Sequence, residues 1–162
     1  MTVPQLHVVA RGPNDGEALW VLGGLYSYRA LSAETAAYLL VEVEGPQGLA
    51  APLHIHTDED EGFYVTSGTV RVVIGDRTFD AAAGSFLLAP RGEKHSFVFA
   101  SPDAKLLLLV SPGSAHEGLF RAIGEPAGAR VIPPPPAGPP DFERLAATAG
   151  RHGTKVVGPP PA

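Results

Sequence analysis

Two histidines and four carboxylates lie close together in the stretch HIHTDEDE, at residues 54–61 of this chain. Imidazole nitrogen and carboxylate oxygen are ligands that divalent transition metals accept. A run of acidic side chains without a metal is more typical of a solvated turn. The stretch therefore allows a metal site, an acidic turn, or both, and the strand pattern around it indicates which side chains can act together.

Strand geometry predicts which of these side chains share a face. Residues two apart in a β-strand point the same way, so His54 and His56 are expected on one face. In the following segment EGFYVT, Glu61 alternates in phase with Phe63 and Val65, which makes its face the apolar one. We therefore expect the Glu61 carboxylate to point into the interior.

The other three acids of the run are expected in solvent. Asp58 and Glu59 fall in the turn between the two strands, and Asp60 has the parity opposite to that of Glu61. A buried carboxylate without a partner is costly. Because two inward histidines lie nearby, a divalent metal is the partner that the pattern suggests for Glu61.

A third histidine has the same orientation in the segment GSFLLAPRGEKHSFVF. His95 follows a turn and alternates in phase with Phe97 and Phe99, so all three are expected to face inward. Three imidazoles and one carboxylate form a mixed nitrogen and oxygen set that suits Mn, Fe, Co, Ni, Cu or Zn. Such a set leaves coordination positions open for a substrate, as metal chemistry requires.

The spacing of these residues resembles the two motifs of the cupin superfamily. The stretches read G-x5-H-x-H-x4-E-x6-G from residue 48 and G-x5-P-x-G-x2-H from residue 84. The second motif often ends in asparagine, where this chain has Phe99. The resemblance covers about residues 18–112 and implies a double-stranded β-helix, a jelly-roll barrel. It also implies one divalent transition metal, held by His54, His56, Glu61 and His95.

A narrower resemblance follows the barrel. The segment SPGSAHEGLFRAIGEPA is similar to the one that follows the barrel in bacterial monocupins similar to quercetin 2,3-dioxygenase. It implies a metal-dependent dioxygenase acting on a small aromatic or enolic, flavonol-like substrate. In this interpretation Glu61 is also the catalytic base, and Phe63, Phe97 and Phe99 line the substrate pocket.

Two other classes of function fit the same ligands. A Lewis-acid metal would serve a non-redox isomerase or a polyketide-type cyclase. A metal cupin can also bind a small ligand without turnover. Because a fold does not determine a function, metal identity and dioxygen uptake are needed to separate these classes.

The rest of the chain favours an all-β fold with two short C-terminal helices. Short β-segments separated by turns are typical of a sandwich or barrel; they are expected at 18–22, 26–31, 37–44, 53–56, 61–66, 70–74, 78–81, 85–89, 95–100 and 105–110. The helices are SAHEGLFRAIGEP, with a capping box at Ser114, and DFERLAATAGRHG, capped by Asp141. The predicted organisation is an N-terminal strand or arm at 1–17, a cupin barrel at 18–112, and a helical, proline-rich extension at 113–162.

Composition restricts the partners. The 162 residues carry a net charge of −5 and no cysteine, which excludes a thiolate metal site and argues against nucleic-acid or anionic-membrane binding. The N-terminal residues lack a signal-peptide pattern and no apolar run is long enough to span a bilayer, so a cytoplasmic location is expected. The family resemblance implies a homodimer that binds a small molecule.

The histidines and aromatic residues outside the motifs are expected to be structural. His116, in the first turn of the first helix, and His152, at the end of the second, are predicted at the surface. The other aromatic candidates could line the pocket, but packing in the core or in a dimer interface is the favoured role: Trp20, Tyr26, Tyr28 and Tyr38.

Overall fold

Twelve strands form two antiparallel sheets in the part of the chain that the structure, a computed structural model, describes, namely residues 7–162. The seven-stranded sheet has the order β11–β1–β2–β3–β10–β5–β8. Its strands are β1 (Ala18–Val21), β2 (Gly24–Ala30), β3 (Leu39–Glu44), β5 (Asp60–Ser67), β8 (Phe86–Ala89), β10 (Lys105–Ser111) and β11 (Glu125–Pro126). The five-stranded sheet has the order β12–β4–β9–β6–β7. Its strands are β4 (Leu53–His56), β6 (Thr69–Ile74), β7 (Arg77–Ala82), β9 (His95–Phe99) and β12 (Thr154–Gly158). The predicted all-β class is confirmed.

The inner faces of both sheets meet in one hydrophobic core. Every second residue is buried along β3 and along β10, and the residues between them are half-buried in β3 and mostly exposed in β10. Successive strand side chains point to opposite faces. The hairpin between β6 and β7 turns through Gly75 and Asp76 alone, and Gly75 has a φ of +60°. A two-residue hairpin turn requires a positive φ of this kind, which glycine adopts without steric cost.

Three helices connect or follow the strands: α1 (Ser32–Thr35), α2 (Ser114–Ile123) and α3 (Phe142–Arg151). Asp141 caps α3 by accepting a hydrogen bond from the Arg144 N–H, as predicted. The capping box predicted at Ser114 is wrong, because the residue before α2 is Gly113, with a φ of +93°. A Cβ at this position would lie 2.5 Å from that of Leu39, so the entry to α2 requires glycine.

The C-terminal extension contributes a strand to the barrel. After α3, β12 pairs with β4, which carries the HIH stretch, and so extends the five-stranded sheet. At the other end, residues 7–17 contain turns and no strand, and residues 1–6 of the predicted arm lie outside the described residues. The division of the chain at residues 18 and 113 remains a prediction. No helix within residues 7–162 has the length and apolar character needed to span a membrane.

Candidate metal centre

The four predicted ligands come together from both sheets. His54 and His56 lie on β4, and His95 lies directly opposite His54 on the neighbouring β9. Glu61 reaches them from β5 in the other sheet. Their ligand atoms all lie within 4.8 Å of one another, and all four residues are buried. The inward orientation of Glu61 that strand parity predicts is therefore confirmed.

Backbone carbonyls fix the orientation of two of the imidazole rings. Nδ1 of His54 lies 2.6 Å from the carbonyl oxygen of Pro52, and Nδ1 of His95 lies 2.9 Å from that of Glu93. A carbonyl oxygen only accepts, so each Nδ1 carries the hydrogen, and Nε2 of a neutral ring is left with a bare lone pair. These Nε2 atoms face Oε2 of Glu61 at 3.8 Å and 2.8 Å. Lone pairs opposed to a carboxylate repel unless a cation lies between them.

The rings of His54 and His56 are neutral and cannot supply that positive charge themselves, which favours a metal ion as the cation. Burial lowers the pKa of His54, and it lowers the pKa of His56 to about 3, so both rings are neutral at physiological pH. His56 places Nδ1 2.9 Å from the Thr154 hydroxyl oxygen and Nε2 3.1 Å from Oε2 of Glu61. Three inward-facing imidazoles, each oriented by a hydrogen bond at Nδ1, and one carboxylate fit a divalent transition metal in donor type and arrangement.

Two further residues of the site were not expected from the sequence. The prediction that Glu59 lies in a solvated turn is wrong, and so is the prediction that His116 lies at the surface, because each is 3% exposed. Glu59 accepts hydrogen bonds from the N–H groups of Ala115 and His116, at 3.0 Å and 3.1 Å. The carboxylate thus takes the capping role at the N-terminus of α2 that the sequence assigned to Ser114.

The His116 side chain lies between the buried carboxylates of Glu59 and Glu61. Its Nδ1 lies 2.7 Å from Oε2 of Glu59, and its Nε2 lies 3.5 Å from Oε2 of Glu61. Burial alone would lower the pKa of His116, but the charges of Glu61 and Glu59 and their hydrogen bonds raise it to about 9. Burial alone would likewise raise the pKa of Glu61, but the charge of His116 and its hydrogen bond hold it well below its ordinary value.

The periodicity of α2 contains the signal that places His116. His116 shares the helical spacing i, i+3, i+4 and i+7 with Leu119, Phe120 and Ile123. Leu119 is buried, and Phe120 and Ile123 pack on the barrel core. A histidine on that stripe is expected inside. No periodic sequence pattern includes Glu59, since the side chain of a turn residue has no fixed orientation.

The other two acids of the run do face solvent. Asp58 is exposed. Asp60 forms an ion pair with the Arg91 guanidinium at 3.0 Å, and hydrogen bonds from Arg91 lower its pKa to about 2. This exposed pair lies outside the metal centre, as the parity of Asp60 predicts.

An apolar cavity opens beside the ligands, between the barrel and the two C-terminal helices. Its lining includes His54, His56, Glu61 and His116, and otherwise consists almost entirely of apolar side chains. Among the three phenylalanines predicted for the substrate pocket, Phe97 lines this cavity. Phe63 and Phe99 do not line it and are buried in the core. Tyr26 also lines the cavity.

Known proteins share both the fold and the motif region. Residues 40–111 match the Cupin_2 family, described as a cupin domain. Quercetin 2,3-dioxygenase of Bacillus subtilis is 30% identical over 96 residues, which cover 59% of this chain and only 28% of that enzyme.

Two solved structures share the architecture. KdgF from Halomonas sp. has a TM-score of 0.52 at 26% identity, covering 56% of this chain and 79% of that one. A predicted oxalate decarboxylase from Thermotoga maritima has a TM-score of 0.55 at 21% identity, covering 65% of this chain and 98% of that one. At that identity the second likeness concerns the fold alone. Two antiparallel sheets, a buried His-His-Glu-His group and the family match over residues 40–111 agree on a cupin fold.

Proposed function

We propose that this protein is a metal-dependent dioxygenase that acts on a small aromatic or enolic substrate. The observation that carries the proposal is the wall of the cavity beside the four ligands. The described residues that line it include no lysine, arginine or asparagine. An apolar wall around one metal centre favours a ligand with an apolar body and a single metal-binding group.

The same wall argues against the small polar substrates suggested by some structural neighbours. A dianion such as oxalate requires cationic or hydrogen-bonding groups around it, because burying its charges without partners is costly. The polar groups that face the cavity belong to the ligands, to His116, and to the hydroxyl-bearing Tyr26 and Thr154. A planar enol or phenol satisfies this arrangement with fewer polar contacts.

The residues of the chain can perform three tasks in such a reaction. A redox-active metal held by His54, His56, Glu61 and His95 would supply Lewis acidity and electron transfer to dioxygen. Glu61, buried and ionised, can take the proton of the substrate hydroxyl at a carboxylate oxygen. Phe97 and the apolar residues of α2 hold the body of the substrate and exclude water.

The cavity is narrow, with room for a few water molecules in the present arrangement of the helices. A three-ring flavonol would therefore require α2 and α3 to move outward, whereas a single-ring enol would need a smaller movement. The 30% identity to quercetin 2,3-dioxygenase supports dioxygen chemistry but not the flavonol itself. The homodimer and the cytoplasmic location remain predictions.

The test is the metal content of natively purified protein, followed by dioxygen uptake. Iron, nickel, manganese or copper is expected, with uptake of one dioxygen per substrate consumed and both oxygen atoms recovered in the product. The substrate panel pairs flavonols with single-ring enols, and the His95→Ala protein serves as the control. Native zinc, or saturable binding of these compounds without uptake, would contradict the proposal and favour a non-redox enzyme or a binding protein.

A further inference from the structure

Behind the four ligands lies a second buried pair that the cupin motifs do not include. Glu59 comes from the turn between β4 and β5, and His116 comes from the first turn of α2. Glu59 receives three N–H groups, those of the Ala115 and His116 backbone and of the His116 ring. Three hydrogen bonds into one buried carboxylate fix both the position of α2 and the rotation of the His116 ring.

That rotation directs His116 at the metal centre. With Nδ1 held by Glu59, Nε2 faces Oε2 of Glu61 at 3.5 Å. The ring of His116 also lies against that of His56, with centroids 3.9 Å apart. Oε2 of Glu61 is the same oxygen that the three ligand histidines face. His116 thus contacts the ligand carboxylate at this same oxygen, from a position beside the His56 ring.

We propose that Glu59 and His116 form a positioning pair that holds the Glu61 carboxylate in its ligating orientation and ties α2 to the metal centre. This inference rests on the metal centre of the proposed function, but not on the identity of the reaction. Glutamate has a flexible side chain, and a ligand loses affinity when its orientation is not held by neighbouring groups. The other three ligands each have such a partner in Pro52, Thr154 and Glu93. His116 supplies the corresponding contact for Glu61.

The pair also connects the centre to the cavity wall. Leu119, Phe120 and Ile123, on the face of α2 that carries His116, line the cavity. Any outward movement of α2 that admits a large ligand therefore withdraws His116 from Glu61. Cavity opening and the orientation of Glu61 are coupled through one helix.

The experiment uses cobalt(II) as a spectroscopic probe in the full chain. The variants are His116→Phe, which removes both ring nitrogens, and Glu59→Gln, which keeps the size of the side chain. The matched control is Glu117→Gln, the same chemical change on α2 at a residue that contacts Ser32 and not the centre. The readouts are the visible absorption bands of bound cobalt and the rate of cobalt loss to a chelator.

Both variants are expected to shift the cobalt bands and to release cobalt about ten- to a hundredfold faster, the range measured for partners of metal ligands. Glu117→Gln should match the wild-type protein. Wild-type bands and release rates in Glu59→Gln, with only a lower melting temperature, would overturn the proposal and leave a purely structural role. Glu59→Gln decides the question if His116→Phe does not fold. A wild-type protein that binds no cobalt would overturn the metal centre itself, whereas failure of the dioxygen assay alone would not affect this inference.

Discussion

The hydroxyl oxygen of Thr154 lies 2.9 Å from Nδ1 of His56, although 98 positions separate the two residues. Thr154 begins β12 and pairs directly with His56 of β4. The strand β12 therefore holds a candidate metal ligand through Nδ1, which leaves Nε2 directed at Glu61. The carbonyls of Pro52 and Glu93 do the same for the other two histidines. The C-terminal extension is in this sense part of the metal centre.

Replacing Thr154 by valine should weaken metal binding about tenfold or more. Valine keeps the shape of threonine but removes the hydroxyl that orients His56, and loss of such a partner has this effect in other metal sites. The measurement is competition for metal with a chromophoric chelator. Thr66→Val, an exposed residue on β5, is the control. Equal affinities in the two variants would show that β12 does not support the ligand.

Removing any one of the three ligand histidines should abolish most metal binding. His54→Ala, His56→Ala and His95→Ala each delete an imidazole of a buried group whose ligand atoms lie within 4.8 Å. Asp58→Asn, a change at an exposed position in the same acidic run, should keep the metal. Elemental analysis of the folded variants measures the outcome, and full occupancy in His95→Ala would exclude His95 from the ligand set.

The metal-free protein should lose stability as the pH falls below about 6.5. Burial lowers the pKa of His54, and that of His56 to about 3, whereas both bind protons near pH 6.5 when unfolded. The unfolded chain therefore binds more protons in this window, and each histidine removes up to about 1.4 kcal/mol per pH unit. His116 affects stability in the opposite direction. Its pKa is raised to about 9, so its contribution to the free energy of unfolding is complete below pH 6.5 and is lost as the pH rises towards 9.

Urea unfolding of chelator-treated protein at pH 6.5, 5.5 and 4.5 measures this loss. His56→Gln is the comparison, because it removes one titrating ring and keeps the number of carboxylates the same. The free energy of unfolding should fall more steeply with decreasing pH in the wild-type protein than in the variant. Parallel curves would mean that His56 is not held neutral by burial.

Strand parity predicted the inward orientation of the four candidate ligands because each of them lies on a regular strand beside the motif turns. The same rule could not place Glu59, which lies in a turn, where side chains have no fixed alternation. It placed Phe63 and Phe99 correctly inside, but the interior has a packed end and an open end. Parity distinguishes inside from outside and carries no information on which end a side chain occupies.

Pairing between segments far apart in the sequence is the other feature of the fold that local sequence patterns could not predict. The strand TKVVG is short and stands between a helix and a proline-rich end, and its pairing with β4 spans about a hundred residues. The contact of Glu59 with His116 joins a turn to a helix in the same way. The amphipathic stripe of α2 was readable from sequence and would have placed His116 inside, but not against Glu61.

Glu61→Gln should separate metal binding from turnover. Glutamine keeps the size and one acceptor oxygen but removes the charge and the basicity, so the three histidines should retain part of the metal. If Glu61 is the base of the proposed reaction, turnover by metal-loaded protein should fall by a factor on the order of 10² or more, the scale of general-base catalysis. Asp60→Asn is the matched control, because Asp60 is the neighbouring acid and forms an exposed ion pair with Arg91. Loss of metal and turnover in Asp60→Asn, with both intact in Glu61→Gln, would contradict the assignment of Glu61 to the centre.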